Sequence, residues 1–303
     1  MEGEGSSSSE MEFTEIESSA DSLDASAIFH VIKDVFGFVL YMHQQIPSLV
    51  PYPSLFIVNV RFSMPFVSEL VQVLSITDMS LEFESLQSEY KELEMALRQS
   101  ELKASSRRNH TNRMRELKHG IRRGEKLMNA VSSFQTALQL IISESPNIQE
   151  VILVLGGSPL RPHHVYQLFF SHGKSVPRGG VDFTKSKVAE GLSRKAIRTL
   201  ISKGAGSGSY PGPSKLFLLV KAPSSLNMPP HFLPKRDFRY SKKIVPLRLR
   251  FKCKTQNKEM SSPSHASQTC SSMGLTDSTS DDLIWFQCRH VIKGIAFNTP
   301  TEE

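Results

Sequence analysis

Ile284-Trp285-Phe286-Gln287, close to the C-terminus of a 303-residue chain, is too apolar and too aromatic to be a loose tail. It lies within a strand pattern over 283–295, after a Ser/Thr-rich stretch at 255–281 with few apolar residues. A Trp-Phe pair left on an unpaired terminal strand would be an exposed aromatic edge and an aggregation hazard. The segment is therefore expected to be built into a sheet. Working backwards, residues 245–254 alternate, with Val245, Leu247, Leu249, Phe251 and Cys253 on one face and Arg248, Arg250, Lys252 and Lys254 on the other. That is the pattern of a half-buried strand with a basic outer face. Residues 216–220 and Val151-Ile152-Leu153-Val154-Leu155, the latter closed by Gly156-Gly157, read as strands buried on both faces.

The earlier chain is mostly helical in pattern. Asp24 is a suitable N-cap for a helix reaching to about residue 45, with Ile28, Ile32, Val35, Val39 and Met42 on one face and Pro47 as its stop. A second helix resumes from Leu81, with Leu86, Tyr90, Leu93 and Leu97 as its stripe. Residues 100–126 are strongly basic, and an apolar stripe returns at Leu127, Val131, Phe134, Leu138 and Ile141 until Ser143 and Pro146. A short helix is expected after Pro162, since proline suits a first helical turn. Another is expected over 185–202, and 204–213 reads as a Gly/Ser/Pro loop. Helices first and strands mostly last give an α+β fold, with helices packed on a mainly antiparallel sheet.

Composition narrows the class. Hydrophobic residues make up 39% of the chain, which points to substantial unstructured segments. The net charge of +6 hides an acidic, Ser-rich start: no Lys or Arg precedes Lys33. Residues 1–25 are expected to be disordered, 26–296 to form one domain with a mobile loop at 255–281, and 297–303 to be a tail; 48–77 reads as a packed connector or, the preferred reading, an insertion. Three widely spaced cysteines make neither a disulfide framework nor a zinc pattern, so a reducing compartment is expected. The uncharged run at 35–60 is broken by Gln44, Gln45, Pro47, Pro51 and Pro53, so no membrane span is expected there, and the acidic start does not read as a signal peptide.

No catalytic set emerges. Gly204-Ala205-Gly206-Ser207-Gly208 lacks the Lys-Ser/Thr ending of a phosphate loop, and Ser158 lacks a nucleophile elbow. His163-His164, expected on a helix, would diverge there. No enzyme activity, cofactor or metal is expected. The basic cluster from Lys103 to Lys126 and the basic face at 248–254 could touch phosphates. Aromatic residues are not interleaved with them, however, and direct nucleic-acid binding is not the favoured reading.

Several short motifs, in order, resemble the comet-type members of the HORMA-fold family, the Mad-two-binding silencers of the spindle checkpoint. They are Tyr41 with Gln44-Gln45-Ile46-Pro47; Leu155-Gly156-Gly157, Leu160, Pro162, Tyr166 and Leu168, similar to a strand-turn-helix; and Leu192-Ser193-Arg194 through Leu200-Ile201. Phe232-Leu233-Pro234-Lys235 with Phe238-Arg239, and Ile284-Trp285-Phe286-Gln287 with Lys293-Gly294, complete the set. The resemblance implies a HORMA-like fold whose C-terminal safety-belt strand (Ile284, Trp285, Phe286, Gln287) folds into its own peptide groove. It implies a non-enzymatic adaptor for the closed form of a Mad-two-type or meiotic-axis HORMA protein. The adaptor would present this partner to an AAA+ ATPase of the pachytene-checkpoint class. The partner interface would fall on Met42, Gln45, Ile197 and Arg198, where Met42 and Ile197 replace the Gln and Phe of better-known members. The ATPase interface would fall on Pro234 and Lys235. A nuclear protein, at kinetochores or meiotic chromosomes and also cytoplasmic, is the matching expectation. The competing reading is a helical or coiled-coil chromatin scaffold binding nucleic acid through the basic cluster.

Overall fold

The computed structural model describes residues 12–46, 76–98, 104–172, 183–206, 212–254 and 282–295. The expected insertion at 48–77 (apart from its last two residues), the loop at 255–281 and the tail at 297–303 lie outside them. Among the described residues the architecture is α+β, with four helices against a mainly antiparallel eight-stranded sheet.

The sheet is built around β2 (Glu150–Ser158), β3 (Arg161–Phe170) and β4 (Lys215–Pro223). Beyond β4 come β7 (Leu283–Cys288) and then the edge strand β5 (Phe232–Lys235), while β8 (Ile292–Lys293) pairs farther along β4. Beyond β3 come β6 (Leu247–Lys252) and then β1 (Thr14–Glu17) at the opposite edge. Only the β3–β6 and β6–β1 pairings are parallel.

Period-two placement explains both faces. Val151, Leu153 and Leu155 of β2, Tyr166, Leu168 and Phe170 of β3, and Ile284, Phe286 and Cys288 of β7 join one large core under the helices. Ile152, Val154, Val165, Phe217 and Leu219 point the other way, into a smaller core closed by Phe238, Tyr240, Ile244, Trp285 and Val291. β2 is thus buried on both sides, as its unbroken apolar run requires.

The helices over the large core are α1 (Ala25–Met42), the C-terminal half of α3 (Ala104–Glu144), and α4 (Lys187–Ser202). Asp24 caps α1, its carboxylate accepting from Ala27 N at 2.6 Å, and Ser186 caps α4 through Ala189 N at 3.1 Å. α1 is long and apolar enough to cross a membrane by composition, yet most of it is buried in this core. Val131, Phe134, Leu138, Ile141 and Ile142 supply the inner stripe of α3. Its basic N-terminal half instead pairs with α2 (Ile76–Arg98) as an antiparallel hairpin. Gly120 and Gly124, one turn apart, let α2 approach closely: a Cβ at Gly124 would lie 3.1 Å from the Phe83 ring.

Three expectations are corrected. The segment after Pro162 is strand β3, not a helix, so the Gly156-Gly157 motif is a strand-turn-strand. Val165, Tyr166 and Phe170 are β-branched or aromatic, and Tyr166, Leu168 and Phe170 bury at strand spacing. Pro162 is accommodated at an irregularity opposite Gly156, where a Cβ would meet Arg161 O, His163 N and Pro162 Cα at 2.9 Å. Residues 12–25 are ordered, against the composition-based expectation for 1–25. Ile16 is buried, Glu15 is ion-paired to Lys252 and Arg250, and the Phe13 ring sits 3.9 Å beneath the Arg250 guanidinium. The basic face of β6 is thereby matched by an acidic neighbour strand rather than left to solvent. Finally, Val245 is 87% exposed and precedes β6, whereas Leu249, Phe251 and Cys253 face the core as their alternation required.

Candidate protein-binding surface

The C-terminal strand is an interior element. β7 bonds to β4 through Val220↔Phe286 and Ala222↔Ile284, and to β5 through Pro234↔Phe286 and Lys235↔Trp285. Ile284 and Phe286 are buried under the helices; Trp285 and Gln287 face the other side. Trp285 packs edge-on to Phe238 at 6.0 Å, with the Lys221 ammonium 5.8 Å from its ring. Pro234 and Lys235 lie on the sheet edge, where proline's missing N–H costs no ladder bond. Lys235 is exposed.

The chain past β7 is then fastened to the end of α1. Gln44 takes a left-handed conformation (φ 54°), and Gln45 N donates back to Leu40 O at 2.8 Å, closing the helix as a Schellman-type cap. This turns Gln45 inward, where it is fully buried. Its side-chain oxygen accepts from Ser214 N at 2.6 Å and its amide donates to His43 O. Its backbone carbonyl accepts from Ile295 N at 3.0 Å, while Gly294 N donates to Ser214 O at 2.8 Å. One glutamine thus joins the end of α1, the entry to β4 and the exit of β8.

Of the four residues expected to face a HORMA partner, Gln45 and Ile197 are wholly enclosed, so their side chains do not reach the surface. Met42 and Arg198, on the adjoining helices α1 and α4, are half-exposed. The Gln45 junction escaped sequence reading because it depends on a partner some 170 residues away; the only local signal was a Gln-Gln pair just before Ile-Pro.

Two histidine groups were also missed. His43 Nε2 meets the Tyr166 hydroxyl at 2.6 Å, and its ring lies 4.1 Å from that of His164. Burial, with His164 adding to it, pushes His43 down to about 3, and burial holds the Tyr166 hydroxyl well above its ordinary range. Both are neutral at physiological pH, a structural pair rather than an acid–base one. His231 Nδ1 and His290 Nε2 approach to 3.1 Å where β5 begins and β7 ends. Among the described residues no group of three or more His, Cys, Asp or Glu side chains gathers to hold a metal. Burial pushes the Cys288 thiol up to about 11, far from the thiolate a nucleophile needs. This region presents an interior C-terminal strand and, on the edge strand beside it, an exposed Pro234 and Lys235. No family model matches the chain, and no curated protein matches it.

Proposed function

We propose that the chain is a non-enzymatic HORMA-type adaptor, which holds the closed form of a Mad-two-type or meiotic-axis HORMA protein. It presents that protein to an AAA+ ATPase of the pachytene-checkpoint class for conversion to the open form. The reading rests on the sequence resemblance, and one observation carries it further. The C-terminal segment fills an interior position in its own sheet, between β4 and β5, and is then latched at Gln45. A self-capped protein of this kind needs no peptide ligand to stay closed, which suits a constitutive adaptor. Among the described residues, Pro234 and Lys235 lie exposed on the edge strand beside that segment.

The test is a reconstitution with a closed Mad-two-type protein and the ATPase. Replacing Pro234 and Lys235 by alanine is expected to abolish ATPase recruitment and leave HORMA binding intact. Replacing Met42 and Arg198 by glutamate is expected to do the reverse. Equal loss of both activities in the first variant, with the fold intact by circular dichroism, overturns the assignment.

A further inference from the structure

A two-helix hairpin cannot bury its own seam. In the α2–α3 hairpin Leu86, Tyr90, Leu93 and Leu97 of α2, and Met114 and Ile121 of α3, all remain half-exposed. Among the described side chains of the basic half of α3, only Leu117 is buried. The two helices are nevertheless in firm register: Phe83 against Gly124, Leu86 against Gly120, and Glu89 in a two-pronged ion pair with Arg113 at 2.7 and 3.1 Å. Beside this seam lies a groove of about 470 Å³ lined by Gln87, Tyr90, Lys91, Lys118, Ile121, Arg122 and Glu125.

Tyr90 and Ile121 are its apolar lining, and Lys91, Lys118 and Arg122 outnumber its single carboxylate, Glu125. Helical spacing places Arg108, Arg115, Lys118, Arg122 and Lys126 within roughly one quadrant of α3, away from the Gly120–Gly124 contact with α2, and of these Lys118 and Arg122 line the groove. All five are exposed, and none forms an ion pair with another described side chain. The ridge runs about 27 Å along the helix axis. Arg113, the basic residue that points back towards α2, is the one already neutralised by Glu89 and Glu116.

We infer that this hairpin is the docking site for an acidic amphipathic helix of a partner protein, which completes a three-helix bundle. Its apolar stripe would cover Tyr90, Ile121 and the half-exposed leucines, and its carboxylates would face the arginine ridge. The apolar lining decides between two anionic partners. A nucleic-acid duplex would use the ridge and gain nothing from covering Tyr90 and Ile121, whereas a helix laid in the groove uses both. The inference is independent of the adaptor reading, since it concerns a different surface.

The experiment titrates the full chain with a fluorescent helical peptide of about 20 residues, long enough to span the ridge, with leucine on one stripe and glutamate elsewhere. Saturable micromolar binding is expected. It should weaken at least about tenfold in both Tyr90→Ala/Ile121→Ala and Arg115→Glu/Arg122→Glu, and fall with added salt. The fold of each variant is checked by circular dichroism, and Lys254→Glu, two residues past β6, serves as a charge control that should bind normally. Equal binding of a peptide with glutamine in place of glutamate overturns the proposal. So does tighter binding of a DNA duplex that depends on the arginines and ignores Tyr90 and Ile121. Binding that appears only after removal of residues 48–75, or dimerisation of the free chain through Tyr90, would assign the groove to this chain itself and equally overturn it.

Discussion

The backbone of Gly294 runs hard against the side chain of Gln45: a Cβ at Gly294 would lie 2.8 Å from Gln45 Cδ and closer still to its amide oxygen. That oxygen is held by Ser214 N, so it cannot swing away without breaking a buried bond. Gly294→Ala is expected to cost about 2 kcal/mol, and Gln45→Ala about 1–3 kcal/mol by orphaning Ser214 N. Because Gln45→Ala also makes room for the methyl group, the double variant should cost clearly less than the sum of the two. Urea unfolding of the four proteins checks this; strict additivity would show that the two sites do not meet.

Trp285 is the chain's single tryptophan and sits on the C-terminal strand, so selectively excited tryptophan fluorescence reports on that strand alone. Phe286→Ala should destabilise by about 3–5 kcal/mol, because a fully packed aromatic is removed beneath the helices. Truncation before residue 283 would leave β4 and β5 without their shared neighbour and should unfold the domain, read as loss of the cooperative thermal transition. A truncated chain that still melts cooperatively at the same temperature would contradict an interior β7.

His43 makes stability fall in acid. Its folded-state value is depressed to about 3 from an ordinary 6.5, so below about pH 6.5 the unfolded chain binds a proton that the folded one refuses. The contribution is fully present above that pH and is lost progressively as pH falls towards 3. Between neutral pH and about 4.5 the loss from this residue should be on the order of 2–3 kcal/mol. His43→Gln should flatten that part of the stability–pH curve, measured by urea midpoints across the range. An unchanged slope would show that His43 is not the group responsible.

At the β1 edge, burial should outweigh charge. Glu15 is 46% exposed, and its partners Arg250 and Lys252 are 35% and 26% exposed, so Glu15→Ala should cost less than about 1 kcal/mol. Ile16 is 3% exposed, and Ile16→Ala should cost about 2–4 kcal/mol. Hydrogen exchange of the β6 amides, with global stability from urea unfolding, distinguishes the two.

The elements that sequence pattern revealed are those with a clear period or an unbroken apolar run. Helix α1 with its Asp24 cap, the inner stripe of α3, strand β2 and the alternation at Leu249, Phe251 and Cys253 were all legible for this reason. Strand β3 was misread because Pro162 is a good first-turn residue and an equally good bulge residue, and only the neighbouring Gly156 backbone decides between them. Strand β1 was hidden by composition: its glutamates look like a disordered tail until β6 brings Arg250 and Lys252 beside them. The enclosure of Gln45 and Ile197 could not be read locally either. Whether a residue on a helix faces outward depends on which neighbours fold over it, and for Gln45 those are Ser214 and Gly294.

Helix α3 is one continuous rod of 41 residues, about 60 Å long. Phe134 and Leu138 clamp one end in the core, and the arginine ridge rides on the other. A tug or a twist applied at the far end therefore acts with the leverage of a long arm about a short, tightly gripped base. Whatever grasps the hairpin gains a mechanical handle on the domain, and the first joint to feel the load is the packing around Phe134.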